Sequence, residues 1–101
     1  MGFSDLNPED LAQAAQIIKA ISHPMRLRIM GLLGEGNKLT VTEIHKELGI
    51  EQSSASHHLG ILRDKNILES DRQGKNTFYY LKRKKLSKLM ECISECACTQ
   101  D

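Results

Sequence analysis

The feature that most constrains this chain is a pair of helical patterns separated by only three residues, Gly49-Ile50-Glu51. The first opens on Thr40-Val41-Thr42-Glu43, a capping box in which the Thr40 hydroxyl accepts from the Glu43 amide and the Glu43 carboxylate reaches back. It ends at Gly49, a residue able to take the left-handed conformation that closes many helices. The second begins near Gln52 and ends near Lys65-Asn66. Ala55, His58 or Leu59, and Leu62 fall on one side of it, and Gln52, Ser53, Ser56, His57 and Arg63 fall largely on the other. Two helices joined by so short a Gly-containing turn form a helix-turn-helix.

The flanking segments complete a small domain. Asn7-Pro8-Glu9-Asp10 supplies an N-cap side chain, a proline for the first helical position and two carboxylates for the positive end of the helix dipole. The helix it starts carries Leu11, Ala14, Ala15, Ile18 and Ile21 at the spacing of one buried stripe. Ser22-His23-Pro24 interrupts it, and a second helix runs from Pro24 to Leu33, where Gly34 and Gly36 stop it. After the helix-turn-helix the period changes to that of extended chain over residues 67–72 and 76–81, around a Gln73-Gly74-Lys75 turn. This predicts a β-hairpin with a basic tip. Residues 82 to about 97 predict a last helix with the stripe Leu86, Leu89, Met90 and Ile93. The expected fold is mainly α with a β-hairpin wing: a winged helix-turn-helix of about five helices. It forms one domain over residues 8–97, with a short C-terminal tail at 98–101.

Composition agrees with one folded domain. A chain of 101 residues with 40% apolar and 27% charged residues is too apolar for disorder at a net charge of +1. No stretch approaches the roughly 18 apolar residues of a membrane span, and no apolar block follows a basic start as in a signal peptide. A cytoplasmic protein without a membrane partner is expected. The charge is segregated. Residues 1–52 hold five Lys/Arg against seven Asp/Glu, residues 53–88 hold nine against three, and residues 89–101 hold none against three. A basic middle of net +6 between acidic ends is an electrostatic footprint for a polyanion.

Three stretches resemble one family. They are His23-Pro24-Met25-Arg26-Leu27-Arg28-Ile29-Met30, Ser53-Ser54-Ala55-Ser56-His57-His58-Leu59-Gly60-Ile61-Leu62-Arg63 and Arg72-Gln73-Gly74-Lys75-Asn76-Thr77-Phe78-Tyr79-Tyr80-Leu81. In this order and spacing they resemble the ArsR/SmtB family of small dimeric bacterial repressors, over residues 17–97. The resemblance implies a homodimer joined through the first and last helices, which the small core of a short chain also favours. Two recognition helices would then face a near-palindromic double-stranded DNA operator. Gln52, Ser53, Ser56 and His57 are the candidates for base or phosphate contact, with Gln52 able to pair with adenine. Arg72 and Lys75 on the wing would meet phosphate or the minor groove. His58 is expected to pack inward. Arg26 is open between a salt bridge and a phosphate clamp, and Lys82-Arg83-Lys84-Lys85 between DNA contact and a solvated face.

The inducer is where the chain departs from the family. The third-helix metal site, built from cysteines in better-known members, corresponds here to Leu39-Thr40-Val41-Thr42-Glu43-Ile44, and threonines do not replace thiolates for a soft metal. The last-helix zinc site would place Arg83 and Lys85 early and Cys96 and Thr99 late, which does not suit a cation. Cys92, Cys96 and Cys98 remain. An odd number of cysteines in a reducing compartment reads as free thiols rather than a disulfide scaffold. Cys92 and Cys96 are four residues apart on one helix face, with Cβ atoms about 5–6 Å apart, and Cys98 joins them if the helix frays after Ala97. Three thiolates favour As(III), Sb(III), Cd(II) or Pb(II) as inducer, with no cofactor required. Redox or reactive-sulfur sensing, and a repressor with no cysteine-based inducer, stay open beside this. So does a winged helix used only for protein contacts. An enzyme is not expected, because Ser56 and His57 point to different sides of a helix and no third group completes a catalytic set.

Overall fold

The computed structural model describes residues 2–34, 36–83 and 85–98. Each early helix starts on a side-chain cap. Asn7 Oδ1 accepts the Asp10 amide at 2.8 Å and opens α1 (Pro8–Ile21), and His23 Nδ1 accepts the Met25 amide at 3.1 Å and opens α2 (Pro24–Leu33). Proline stands first in both, where its missing N–H has no intrahelical partner to lose. The capping box forms in both directions: Thr40 Oγ1 accepts from Glu43 N at 3.1 Å, and Glu43 Oε1 accepts from Thr40 N at 3.0 Å. It opens α3 (Val41–Leu48), which leads through the short turn into α4 (Gln52–Asp64).

That turn is held by several bonds. Gly49 closes α3 at φ 68°, its N–H donating to His45 and Lys46 carbonyls, and the Ile50 N–H donates to His45 O at 3.1 Å. The His45 Nδ1 lies 3.1 Å from the Ile50 carbonyl, an acceptor, so this nitrogen carries the proton. Together these contacts set the angle at which α4 leaves α3.

The wing comprises β2 (Leu68–Gln73) and β3 (Asn76–Leu81), paired antiparallel from Leu68↔Leu81 at the base to Gln73↔Asn76 at the tip. The first strand of the hairpin is thus one residue later than the pattern predicts. Gly74 takes φ 65° while Lys75 does not take positive φ, the arrangement of a type II′ turn, whose twist matches that of the strands. A further strand that the pattern did not predict, β1 (Leu39–Thr40), pairs with β3 through Leu39↔Tyr79 and Thr40↔Phe78. Two residues are too few to show alternation. The sheet order is β1-β3-β2, so β3 is covered on both edges.

Ile29, Met30 and Leu33 of α2 lie at the centre of a core shared with Ile44 and Leu48 of α3, Leu59 and Leu62 of α4, and Ile67, Leu68 and Leu81 at the hairpin base. The terminal helices differ from expectation. The stripe of α1 is not buried as a whole: Leu11 and Ile18 are 41% and 51% exposed, Ala15 is exposed, and Ile17, Ala20 and Ile21 make the contacts with the core. Among the described residues, the core contacts of α1 come from its C-terminal part.

The last helix, α5 (Lys85–Cys98), starts three residues later than residue 82. The Lys82 N–H donates to the Ile67 carbonyl at 3.0 Å and extends the hairpin instead. Lys84 lies outside the described residues. The helix continues through Cys98, and residues 99–101 of the expected tail lie outside the described residues. Leu86 and Met90 pack against the core, while Leu89 and Ile93 are each 40% exposed.

Substituting Gly49→Ala places a Cβ in a left-handed conformation and is expected to cost about 1 kcal/mol of stability. Thermal or urea unfolding at fixed protomer concentration checks it; an unchanged midpoint would show that the turn is not strained by a side chain.

Candidate nucleic-acid interface

The two sides of α4 are sharply divided. Ala55, His58, Leu59 and Leu62 are buried, whereas Gln52, Ser53, Ser56, His57 and Arg63 are exposed along the opposite side. Glu51 is the N-cap and makes no side-chain capping bond. The N-terminal turn of α4 therefore carries Gln52, Ser53 and Ser56 on a surface open to a ligand, with the amide dipoles of the helix start beside them.

Gly60 lies on this outer side as well, one turn beyond Ser56, and sequence reasoning passed over it. A Cβ there meets nothing within 4 Å, so no packing within the chain requires glycine. The signal was available: a glycine inside a helix costs about 1 kcal/mol against alanine and invites a reason.

Arg72 and Lys75 are both exposed at the wing tip. The Arg72 Nε donates to the Gly74 carbonyl at 3.4 Å, and Gln73 Nε2 donates to Asp71 Oδ2 at 3.1 Å, so the tip is braced by its own side chains. On the wing, the Tyr80 hydroxyl donates to Glu69 Oε2 at 3.0 Å, and Lys38 Nζ stands 4.6 Å from the Tyr80 ring centroid. The Glu69 bond, first among the causes, raises the Tyr80 pKa above its ordinary value.

Two basic features are placed more clearly than the pattern allowed. Arg26 turns inward: its Nε donates to His58 Nδ1 at 3.3 Å and its Nη1 to the Ala20 carbonyl at 2.8 Å. The expected choice between salt bridge and phosphate clamp is replaced by a third arrangement, a bridge between α1, α2 and α4. Of the basic run, Lys82 and Arg83 precede α5, and Arg83 Nε donates to the Asn66 carbonyl at 3.3 Å.

Cys92, Cys96 and Cys98 are all exposed. Helical spacing puts Cys92 and Cys96 on the side of α5 that carries Leu89 and Ile93. Cys98, six residues after Cys92, falls on another side while the helix is intact. Among the described residues no group of three or more His, Cys, Asp or Glu side chains is arranged to hold a metal ion.

Residues 21–71 match a family described as a helix-turn-helix domain. Over 89 residues the chain is 36% identical to the biofilm growth-associated repressor of Xylella fastidiosa, covering 88% of this chain and 77% of that protein. The chain belongs to the ArsR/SmtB family of winged helix-turn-helix transcriptional regulators. The crystal structure of the transcriptional repressor PagR of Bacillus anthracis superposes with a TM-score of 0.78 at 32% identity, covering 86% of this chain and 99% of that one. A solution structure of a homodimeric winged helix-turn-helix DNA-binding domain from Mycobacterium bovis, a possible ArsR-family regulator, gives 0.81 at 27% identity, covering 96% and 89%. This family comprises DNA-binding regulators rather than enzymes, and among the described residues no helix is long and apolar enough to cross a membrane.

Within the ArsR/SmtB frame α4 is the recognition helix and β2–β3 the wing. Both features that cost α4 stability lie on its open side or at its open end. Glu51→Ser, which supplies a capping hydroxyl, and Gly60→Ala are each expected to raise stability by about 0.5–1 kcal/mol. Urea unfolding reads this directly; a loss in either variant would mean that the residue has an internal role that its surroundings do not display.

Proposed function

We propose that the chain is a homodimeric repressor that binds a near-palindromic DNA operator and is released from it by a thiophilic metal or metalloid at the cysteines of α5. The observation that carries the DNA reading is the exposed polar row Gln52, Ser53, Ser56 and His57 opposite the buried side of α4. The helix enters the major groove by its N-terminal turn, Gln52 pairs with an adenine edge, and the serines and His57 bond bases or phosphates. Arg72 and Lys75 reach the phosphates or minor groove alongside. The relatives named as repressors support the same direction of control.

The dimer reading rests on four large apolar side chains left 40–51% exposed on the two terminal helices: Leu11, Ile18, Leu89 and Ile93. A second copy packed on these faces removes them from water and sets the two α4 helices about one DNA turn apart, or a multiple of it. The homodimeric M. bovis neighbour is in keeping with this.

The inducer reading rests on Cys92 and Cys96 sharing the exposed side of α5 with Leu89 and Ile93. A soft ion taken up there, as As(III), Sb(III), Cd(II) or Pb(II), draws on thiolates beside the dimer face and alters the spacing of the recognition helices. Cys98 enters the set when the last turn of α5 unwinds.

Fluorescence anisotropy on a duplex from upstream of its own gene tests all three parts. Affinity should fall steeply with salt, Arg72→Ala and Lys75→Ala should each lower the slope by about one, and Gln52→Ala should cost about 1–3 kcal/mol while relaxing preference at one base pair. Arsenite or cadmium should release wild type but not Cys92→Ser or Cys96→Ser. Tight binding that ignores every thiophile removes the inducer reading; absence of binding at low salt removes the DNA reading and favours a protein-contact module.

A further inference from the structure

Among the described residues His58 is the polar side chain in the core, 8% exposed, on the buried side of the recognition helix. Its neighbour in sequence, His57, is on the exposed side. We propose that His58 and Arg26 form a proton-sensitive lock that positions the recognition helix, so that acidification loosens α4 and weakens DNA binding.

The lock rests on donor and acceptor chemistry. A guanidinium only donates, and Arg26 Nε points at His58 Nδ1 from 3.3 Å, so Nδ1 must be the bare nitrogen of a neutral ring protonated at Nε2. The same guanidinium donates through Nη1 to the Ala20 carbonyl at 2.8 Å, in the last turn of α1, where helical carbonyls lack intrahelical donors. One side chain of α2 thereby ties the end of α1 to the inner side of α4. Protonating His58 removes the acceptor and sets an imidazolium against a cation at the same point.

The surroundings oppose that proton from several directions. The His23 ring of the α2 N-cap lies 4.6 Å from the His58 ring, centroid to centroid, and the His57 ring of α4 itself lies 5.6 Å away. The His23 Nδ1 is also an acceptor, for the Met25 amide, so it too is bound in a form lacking a proton there. Burial, then His23, Arg26 and His57, hold the His58 pKa below the usual 6.5. From α1 comes the Ala20 carbonyl, through Arg26. Among the described residues the causes of the shift include no group of α3 or of the wing and no carboxylate.

The direction follows from linkage. A base with a lowered pKa in the locked form is neutral in both forms above pH 6.5, where the lock contributes fully. As pH falls below 6.5 the unlocked form takes the proton first, and the contribution is lost down to the pKa of the locked form. His57, on the open side of the same helix, is kept in both proteins compared, so that residue 58 alone varies.

This inference rests on the DNA-binding reading, and its test separates the two. Affinity for the upstream duplex is measured at about pH 7.5 and 5.8, at constant salt, for wild type and His58→Gln, which keeps an acceptor but does not titrate. The expected result is near-equal affinity at the higher pH and a greater loss on acidification for wild type, up to about fivefold, the ceiling set by an unlocked ring of pKa 6.5 at pH 5.8. Equal losses overturn the lock. Nitrogen-15 NMR of the histidine rings in wild type without DNA judges it independently of any variant's folding. A neutral Nε2–H tautomer for His58, titrating below 6.5 and rising in Arg26→Met, supports it; an Nδ1–H tautomer or an ordinary midpoint overturns it. A wild type that binds no DNA yet shows the expected tautomer supports the ring chemistry and overturns its link to DNA affinity.

Discussion

Burial of one side of α4 is the interaction on which the rest of the structure depends. Leu59 and Leu62 share a core with Ile29 of α2, Ile44 of α3 and Ile67 at the hairpin base, so three elements grip the recognition helix from within. Each large side chain so buried contributes on the order of 1.5–3 kcal/mol. Holding the helix from this side leaves Gln52, Ser53, Ser56, His57 and Arg63 exposed on the other. A reader of DNA requires both conditions together, because the surface that meets the bases must be presented without being used up.

The sheet serves the same end. Pairing β3 with both β1 and β2 ties the wing to the segment that opens α3, and Leu68↔Leu81 anchors the hairpin base in the core. The basic tip therefore projects from a fixed origin next to α4. The hydrogen bond from Arg72 to the Gly74 carbonyl restricts the freedom of that side chain at the tip.

By contrast the terminal helices are only partly committed to their own chain. No residue of α5 is fully buried, and α1 reaches the core through its last turn and Ile17. Apolar side chains at Leu11, Ile18, Leu89 and Ile93 are what an isolated domain would avoid exposing together. Cys92 and Cys96 are exposed on the same helix as Leu89 and Ile93, at positions that a second chain on this face would lie beside.

Much of this was readable along the chain because it depends on local chemistry. The caps at Asn7, His23-Pro24 and Thr40, the glycine at 49, and the change of period at the hairpin place four helices and the wing within a residue or two. The polar and apolar sides of α4 follow from helical spacing alone. What needed the tertiary structure was every feature whose partner is distant in sequence. β1 exists because β3 pairs with it, and Lys82 extends the hairpin because the Ile67 carbonyl faces it. Leu11 and Leu86 have similar local patterns, yet only Leu86 packs against the core. Arg26 and His58 meet across 32 residues, a hydrogen bond that no periodicity encodes. Local propensity and spacing determined which residues become helix, turn and wing. Packing decided which of their sides are spent inside the chain and which are left for a partner, because burial depends on where the whole chain brings its surfaces together.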